Sequence, residues 1–252
     1  MLYNYHSHTK RCNHANGEDR EYVEKAIESG VKILGISDHA PYLFQNTTHY
    51  SCFRMQVDEL HEYAETVRAL QKEYEKDIRI LLGFELEYYP DFHTEEMKFL
   101  RQVNPDYILL GQHFINNELD NIPSYNQEDM ALRMYVTQVL AALSTGDFLY
   151  CAHPDIAGFR YSEEVWKREY RRLCEGAKRM NIPLELNLLG IRQNRHYPSR
   201  DFFKIAAEVG NDIILGIDAH DPVHFCNITA EETALAMVKE LGLKLIEKPL
   251  IK

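Results

Sequence analysis

KILGISDH, residues 32–39, is an apolar run that stops abruptly at two polar side chains able to bind metal, Asp38 and His39. Its length suits a buried strand and is too short for a helix. The same grammar recurs along the chain. LLGFELE (81–87) runs into Glu85, ILLGQHF (108–114) into His113, LYCAHPD (149–155) into His153 and ILGIDAHD (214–221) into Asp218 and His220. Near the start, LYNYHSH (2–8) delivers His6 and His8. Apolar strands that repeatedly carry chemistry at their C-terminal ends are the pattern expected of a β/α barrel.

Working outward, seven strands are predicted, at Leu2–Tyr5, Lys32–Ser37, Arg79–Phe84, Tyr107–Gln112, Phe148–Ala152, Pro183–Asn187 and Ile213–Ile217. Between them lie amphipathic stretches with helical spacing: Arg20–Ser29, Val57–Lys76, Thr94–Val103, Glu128–Ser144, Ser162–Met180, Arg200–Val209 and Ala230–Leu241. Gly30, Gly210 and Gly242 stand where helices should stop. Strands alternating with helices imply a mainly parallel sheet. The 252 residues suit one large domain, so the expected fold is α/β: a distorted, TIM-like seven-stranded (β/α)7 barrel spanning 1–252, with a site at the C-terminal ends of its strands.

Composition narrows the function. A formal net charge of −11 argues against a nucleic-acid surface, which needs a basic stripe. No run reaches the roughly 18 apolar residues that cross a bilayer, and Met1–Lys10 lacks a signal-peptide core. Five cysteines without a CxxC pair argue against a disulfide framework or a thiolate zinc site. The protein is therefore expected to be cytoplasmic, with no membrane and no nucleic-acid partner. Cys12 lies among histidines, but a buried reduced thiol is its better reading.

The histidines and carboxylates point to metal. In a strand, residues i and i+2 face the same side, so His6 and His8 can reach one ion. Glu85 and Glu87 share a side by the same rule; Glu85, which directly follows its strand, is preferred. His14 lies in the polar loop after strand one. Each residue alone has a plain explanation, as a core histidine or a helix cap. Together they would form a buried polar cluster too costly without a cation. Imidazole and carboxylate without thiolate suit Zn, Fe or Mn, and the number of ligands exceeds what one ion can use.

The ordered series His6-x-His8, His14, Asp38-His39, Glu85, His113, His153 and Asp218-x-His220 resembles the polymerase-and-histidinol-phosphatase (PHP) family over essentially the whole chain. Within it, His6-Ser7-His8-Thr9, Ser37-Asp38-His39-Ala40-Pro41 and His153-Pro154-Asp155 are most similar to histidinol-phosphate phosphatases. The resemblance implies two or three divalent ions. One would be held by His6, His8, Glu85 and Asp218, a second by Glu85, His113 and His153, and a third by His14, His39 and His220. It further implies phosphomonoester hydrolysis by a water shared between two metals, with L-histidinol phosphate, an intermediate of histidine biosynthesis, as substrate. Asp38 would assist proton transfer or orient His39.

A guanidinium fork matches phosphate oxygens. Arg160 and Arg195 are the preferred phosphate ligands and Arg192 a weaker one, because the sixth strand supplies no metal ligand and is followed by Arg192 and Arg195. Tyr42, Tyr88, Tyr89 and His196 are candidates to line the pocket, and Glu18, Asp19 or Asp155 to bind an amino group. The expected partner is a small phosphate ester. The rival readings are another PHP phosphoesterase acting on nucleotides, a non-catalytic metal-binding module and an amidohydrolase-like barrel. The last usually offers a carboxylated Lys or another bridge after a middle strand; here no Lys follows such a strand and Glu85 takes the bridging place.

Overall fold

A computed structural model describes residues 1–44, 49–125 and 128–251. The chain divides into two compact units, each with its own parallel sheet. The first unit comprises Met1–Leu86, Pro90–Leu109 and Ile217–Asn227, and the second Glu87–Tyr89, Leu110–Gly216 and Ile228–Lys252.

In the first unit the strand order is β1 (Tyr3–Asn4), β2 (Ile33–Ile36), β3 (Arg79–Leu86), β4 (Tyr107–Leu110). β1 and β3 both run parallel to β2, with Tyr3 opposite Ile33 and Ile33 opposite Arg79. All four residues of β2 are buried, as its unbroken apolar run requires. Gly35 and Gly83 share a reason for lacking a side chain. A Cβ on Gly35 would stand 2.0 Å from the Tyr107 hydroxyl, and one on Gly83 2.3 Å from Tyr107 Cζ. The Tyr107 ring lies across both glycines and donates its O–H to Tyr5 O at 2.6 Å. Helices α1 (Asp19–Glu28), α2 (Leu60–Glu73) and α3 (His93–Leu100) complete this unit. Glu18 and Glu21 form a capping box at the start of α1, and Gly30 turns the chain out of it at φ +79°.

The second unit holds α4 (Asp129–Ser144), α5 (Glu163–Arg179), β5 (Leu184–Asn187), α6 (Leu188–Arg192), α7 (Arg200–Val209), β6 (Asp212–Gly216), α8 (Ile228–Leu241) and β7 (Lys244–Leu245). β5, β6 and β7 pair in that order, in parallel. On α5, Val165, Tyr170, Leu173, Cys174 and Ala177 turn inward at helical spacing. Arg200–Val209 has the expected bounds, capped by Ser199 and closed by Gly210 at φ +79°.

The α/β class and the parallel pairing hold. Among the described residues the strands form a four-stranded and a three-stranded sheet, and these seven are not the seven segments expected. Phe148–Ala152 is not a strand. Only Cys151 pairs, bridging Leu110 and Leu184, so one residue does the work of a strand. β7 and α6 were not anticipated: two and five residues are too short to show periodicity. No helix among the described residues is long and apolar enough to cross a membrane.

Candidate metal centre

Strand β1 is followed by residues that keep its extended course. Ser7 pairs with Ala219 and hydrogen-bonds into β2 through Gly35 O, at 2.6 Å from its hydroxyl. Ser7 therefore faces the sheet interior, and His6 and His8 fall together on the other side. His39 pairs with Glu85 in the same way. Asp218 and His220 come from the segment after β6, and Asp218 adopts φ +50°, an unusual backbone for a residue with a side chain.

The first unit thus gathers His6, His8, His39, Glu85, Asp218 and His220. Glu85 Oε2 is 3.6 Å from His6 Nε2, 3.5 Å from His8 Nε2 and 3.0 Å from His39 Nδ1. Asp218 Oδ1 is 3.7 Å from His6 Nε2, 3.2 Å from His8 Nε2 and 3.2 Å from His220 Nδ1. Several of these gaps are too long for good hydrogen bonds. They match two ligand atoms on one ion, because bonds of about 2.0–2.2 Å at tetrahedral angles separate their ligands by about 3.4 Å. The donor set therefore fits divalent ions, with Glu85 able to serve more than one. His14, which is exposed, meets His220 with 2.9 Å between their Nε2 atoms. Buried Cys12 lies within ligand range of His14 and His220, and its thiol donates to Thr9 O at 3.1 Å.

The electrostatics describe a pocket that demands positive charge. Burial would lower the His8 pKa, but Asp218, Asp38 and Glu85 outweigh it and raise the value to about 9. Asp218 goes well below the carboxylate range. Burial opposes this, and the His6 charge, with hydrogen bonds from His220 and His8, overcomes it. His220 falls to about 4, through burial and repulsion from His8. A divalent ion would replace the proton that the apo cluster holds.

Asp38 sits behind His8, 3.4 Å from its Nδ1. It also accepts the His39 N–H at 2.8 Å and the Thr9 hydroxyl. Asp38 therefore faces the His8 ring, a partner not named in either sequence reading, proton transfer or orienting His39.

In the second unit, the His113 and His153 rings are 4.9 Å apart. Glu87 Oε1 accepts both the His113 backbone N–H, at 3.0 Å, and its Nδ1, at 2.9 Å, while Tyr89 donates its hydroxyl to Oε2. Glu87 was weighed as a ligand; it supports His113 instead. Its signal was the G-F-E-L-E spacing, which does not say which carboxylate meets which imidazole. Glu185 was missed altogether. It accepts the His153 N–H at 3.0 Å from within β5, the strand expected to supply no metal ligand. His153 is held at φ +27°.

Arg195 is tied to Tyr197, whose ring lies 6.0 Å from His153. Arg160 is exposed and makes no hydrogen bond or ion pair among the described residues, and Arg192 is half-buried at the end of α6. Most of the pocket candidates are committed elsewhere. Tyr42 stacks on Phe44, Tyr89 holds Glu87 and His196 bonds Ile156 O at 2.7 Å. Tyr88 gives its backbone N–H to Gln112. Asp19 pairs with Arg11, Glu18 with Lys10, and buried Asp155 accepts the Ser199 N–H, so none of the three stands ready for an amino group.

The PHP domain pattern matches residues 4–188. A Deinococcus radiodurans protein named Probable histidinol-phosphatase is 28% identical over 228 residues, 86% of this chain and 85% of that one. The Bacillus subtilis histidinol-phosphatase is 30% identical over 118 residues, 45% of this chain and 44% of its own. Among solved structures, histidinol phosphate phosphatase from Lactococcus lactis, complexed with Zn, L-histidinol and phosphate, superposes with a TM-score of 0.73 over 97% of this chain and 95% of that one. At 19% identity this likeness establishes a shared fold.

Proposed function

We propose, from the premise that this chain belongs to the PHP domain family, that it is a metal-dependent phosphomonoesterase hydrolysing L-histidinol phosphate to L-histidinol and phosphate. The observation that carries the chemistry is Glu85 Oε2 standing 3.0–3.6 Å from three imidazole nitrogens, beside Asp218. The substrate rests on the relatives' names, chiefly the one matched over 85% of its length.

His6, His8, His14, His39, Glu85, Asp218 and His220 are proposed ligands for the first unit's ions, and His113 and His153 are proposed ligands in the second. Two or three ions of Zn, Fe or Mn are expected. Bound, they would supply an acidified water and neutralise charge on the phosphoryl oxygens. Asp38 orients His8 and so presents its Nε2, as Glu87 does for His113. Arg195, with Arg160 and Arg192 as further candidates, meets the phosphate. The finer fold expectation, one domain over 1–252 with a seven-stranded barrel, belongs to this proposal. It is supported by a family match that takes in strands of both units. A cytoplasmic setting is supported by five free cysteines.

The test is kcat/KM for histidinol phosphate beside nucleotides and sugar phosphates, on protein whose metal content has been measured. Preference for histidinol phosphate by two orders of magnitude is expected. Faster turnover of nucleotides would assign the site to a different phosphate ester.

A further inference from the structure

Arg195 is exposed, and an exposed arginine carries rotamer entropy that anion binding must overcome. Here much of that freedom is already gone. Arg195 Nη1 donates to the Tyr197 hydroxyl at 2.6 Å, and its Nε to Gln193 Oε1 at 2.7 Å. Its guanidinium carbon sits 5.7 Å from the Tyr197 ring centroid. Nη2 makes no hydrogen bond among the described residues, so one edge of the fork remains open to an anion.

Tyr197 is itself firmly seated. It is 3% exposed, and its backbone packs against Gly190, where a Cβ would stand 2.0 Å from Tyr197 O. On either side the loop is fastened to the segment after His153: His196 Nε2 to Ile156 O at 2.7 Å, and Ser199 N–H to Asp155 Oδ2 at 2.5 Å. The Tyr197 ring stands 6.0 Å from His153, tilted at 57°. One buried phenol therefore touches an arginine with an open edge and neighbours a candidate ligand.

We propose that Tyr197 is a positioning residue for phosphate recognition: its hydroxyl holds Arg195 in the pose that receives the phosphoryl group. This rests on the phosphoesterase reading and extends it to a residue that binds neither metal nor phosphate. Preorganisation of this kind strengthens binding by removing an ordering cost.

The experiment is a double-mutant cycle on metal-loaded enzyme with Y197F, R195A and the pair. It reads KM and kcat on an aryl phosphate, competitive inhibition by inorganic phosphate, and metal content. Y197F is expected to raise KM and the phosphate Ki together by about tenfold, the factor of one hydrogen bond to a charged group. Metal content should stay at the wild-type level, and kcat should change far less than KM. In the R195A background Y197F should add less than about twofold, because the contact is already lost. An unchanged Ki, or the same Y197F factor with and without Arg195, overturns the proposal. So does a loss that tracks metal content, which would make Tyr197 a support for His153 alone. If Y197F is unstable, R195K tests the contact from the other side. Keeping the charge but not the fork, it should raise Ki nearly as far as R195A, and a wild-type Ki would overturn the idea. Inorganic phosphate binding followed by calorimetry reads the same contact even if histidinol phosphate is not the substrate. A wrong substrate and a wrong role for Tyr197 therefore give different results.

Discussion

Replacing Glu85 by Gln keeps the side chain's shape and removes one buried negative charge at the point where three imidazoles converge. If Glu85 serves bound ions, its loss resembles removing one partner of a buried charge pair, about 3–5 kcal/mol. Some of this returns because the amide oxygen still coordinates, which leaves a loss of about 100- to 1,000-fold in metal affinity, or about 2.7–4.1 kcal/mol. Metal-loaded E85Q should then melt about 5–16 °C below metal-loaded wild type, at 2–4 °C per kcal/mol for a chain of this size. In the metal-free protein the loss should shrink. There the Glu85 carboxylate, 1% exposed, faces the proton on His8 3.5 Å away instead of a divalent ion, so losing its charge removes a weaker partner. Calorimetry with and without chelator, together with metal analysis after dialysis, tests both halves. If E85Q retains wild-type metal content, or if the metal-free variant loses as many degrees as the metal-loaded one, the argument that Glu85 is there for the ions is refuted.

Glu87→Gln should cost about 10- to 100-fold in affinity at the ion held by His113, because the carboxylate that receives Nδ1 is lost; full occupancy by elemental analysis would contradict this. Gly83→Ala should destabilise by about 3 kcal/mol, since its Cβ would meet Tyr107 Cζ at 2.3 Å. Denaturant unfolding measures that loss, and a shift under 1 kcal/mol would mean the Tyr107 ring moves aside freely. The metal-free protein should also have a defined pH optimum for stability. The His8 pKa is raised to about 9, so its contribution is complete below the unfolded value of about 6.5 and lost as pH rises through 9. His220 is lowered to about 4, so stability also falls as pH drops from about 6.5 towards 4. The maximum should lie near pH 6–7, and added metal should flatten the alkaline arm because the ion takes the proton's place. Thermal melts across pH, with and without metal, read this directly, and a metal-free alkaline arm that stays flat would show that His8 holds no such proton.

Some of this was open to reading in the linear chain, and the reason is local. Strand-end placement depends on apolar runs only a few residues long, so LYNYHSH, KILGISDH, LLGFELE and ILGIDAHD each announced their polar ends. The structure brings the imidazoles of His6, His8, His39 and His220 within 3.0–3.7 Å of the Glu85 or Asp218 carboxylate. Helix bounds such as Arg200–Val209 followed from caps and glycines for the same reason.

Supporting contacts were hidden because they join residues far apart in the chain or choose between equivalent neighbours. Alternation put Glu85 and Glu87 on one side of an ideal strand, and only the folded backbone sends the first to His6, His8 and His39 and the second to His113. Adjacency offered His39 as one of two readings for Asp38, beside proton transfer, and the sheet brings it to His8, thirty residues earlier. Glu185 was unreadable because its partner is a backbone N–H, which carries no residue identity. Sequence by itself determined which side chains could bind metal and at which strand ends they stand, because period and composition are properties of neighbours. Tertiary structure alone decided which carboxylate serves which histidine and which arginine is held ready, because those pairings depend on distances that only the packed sheets and loops set.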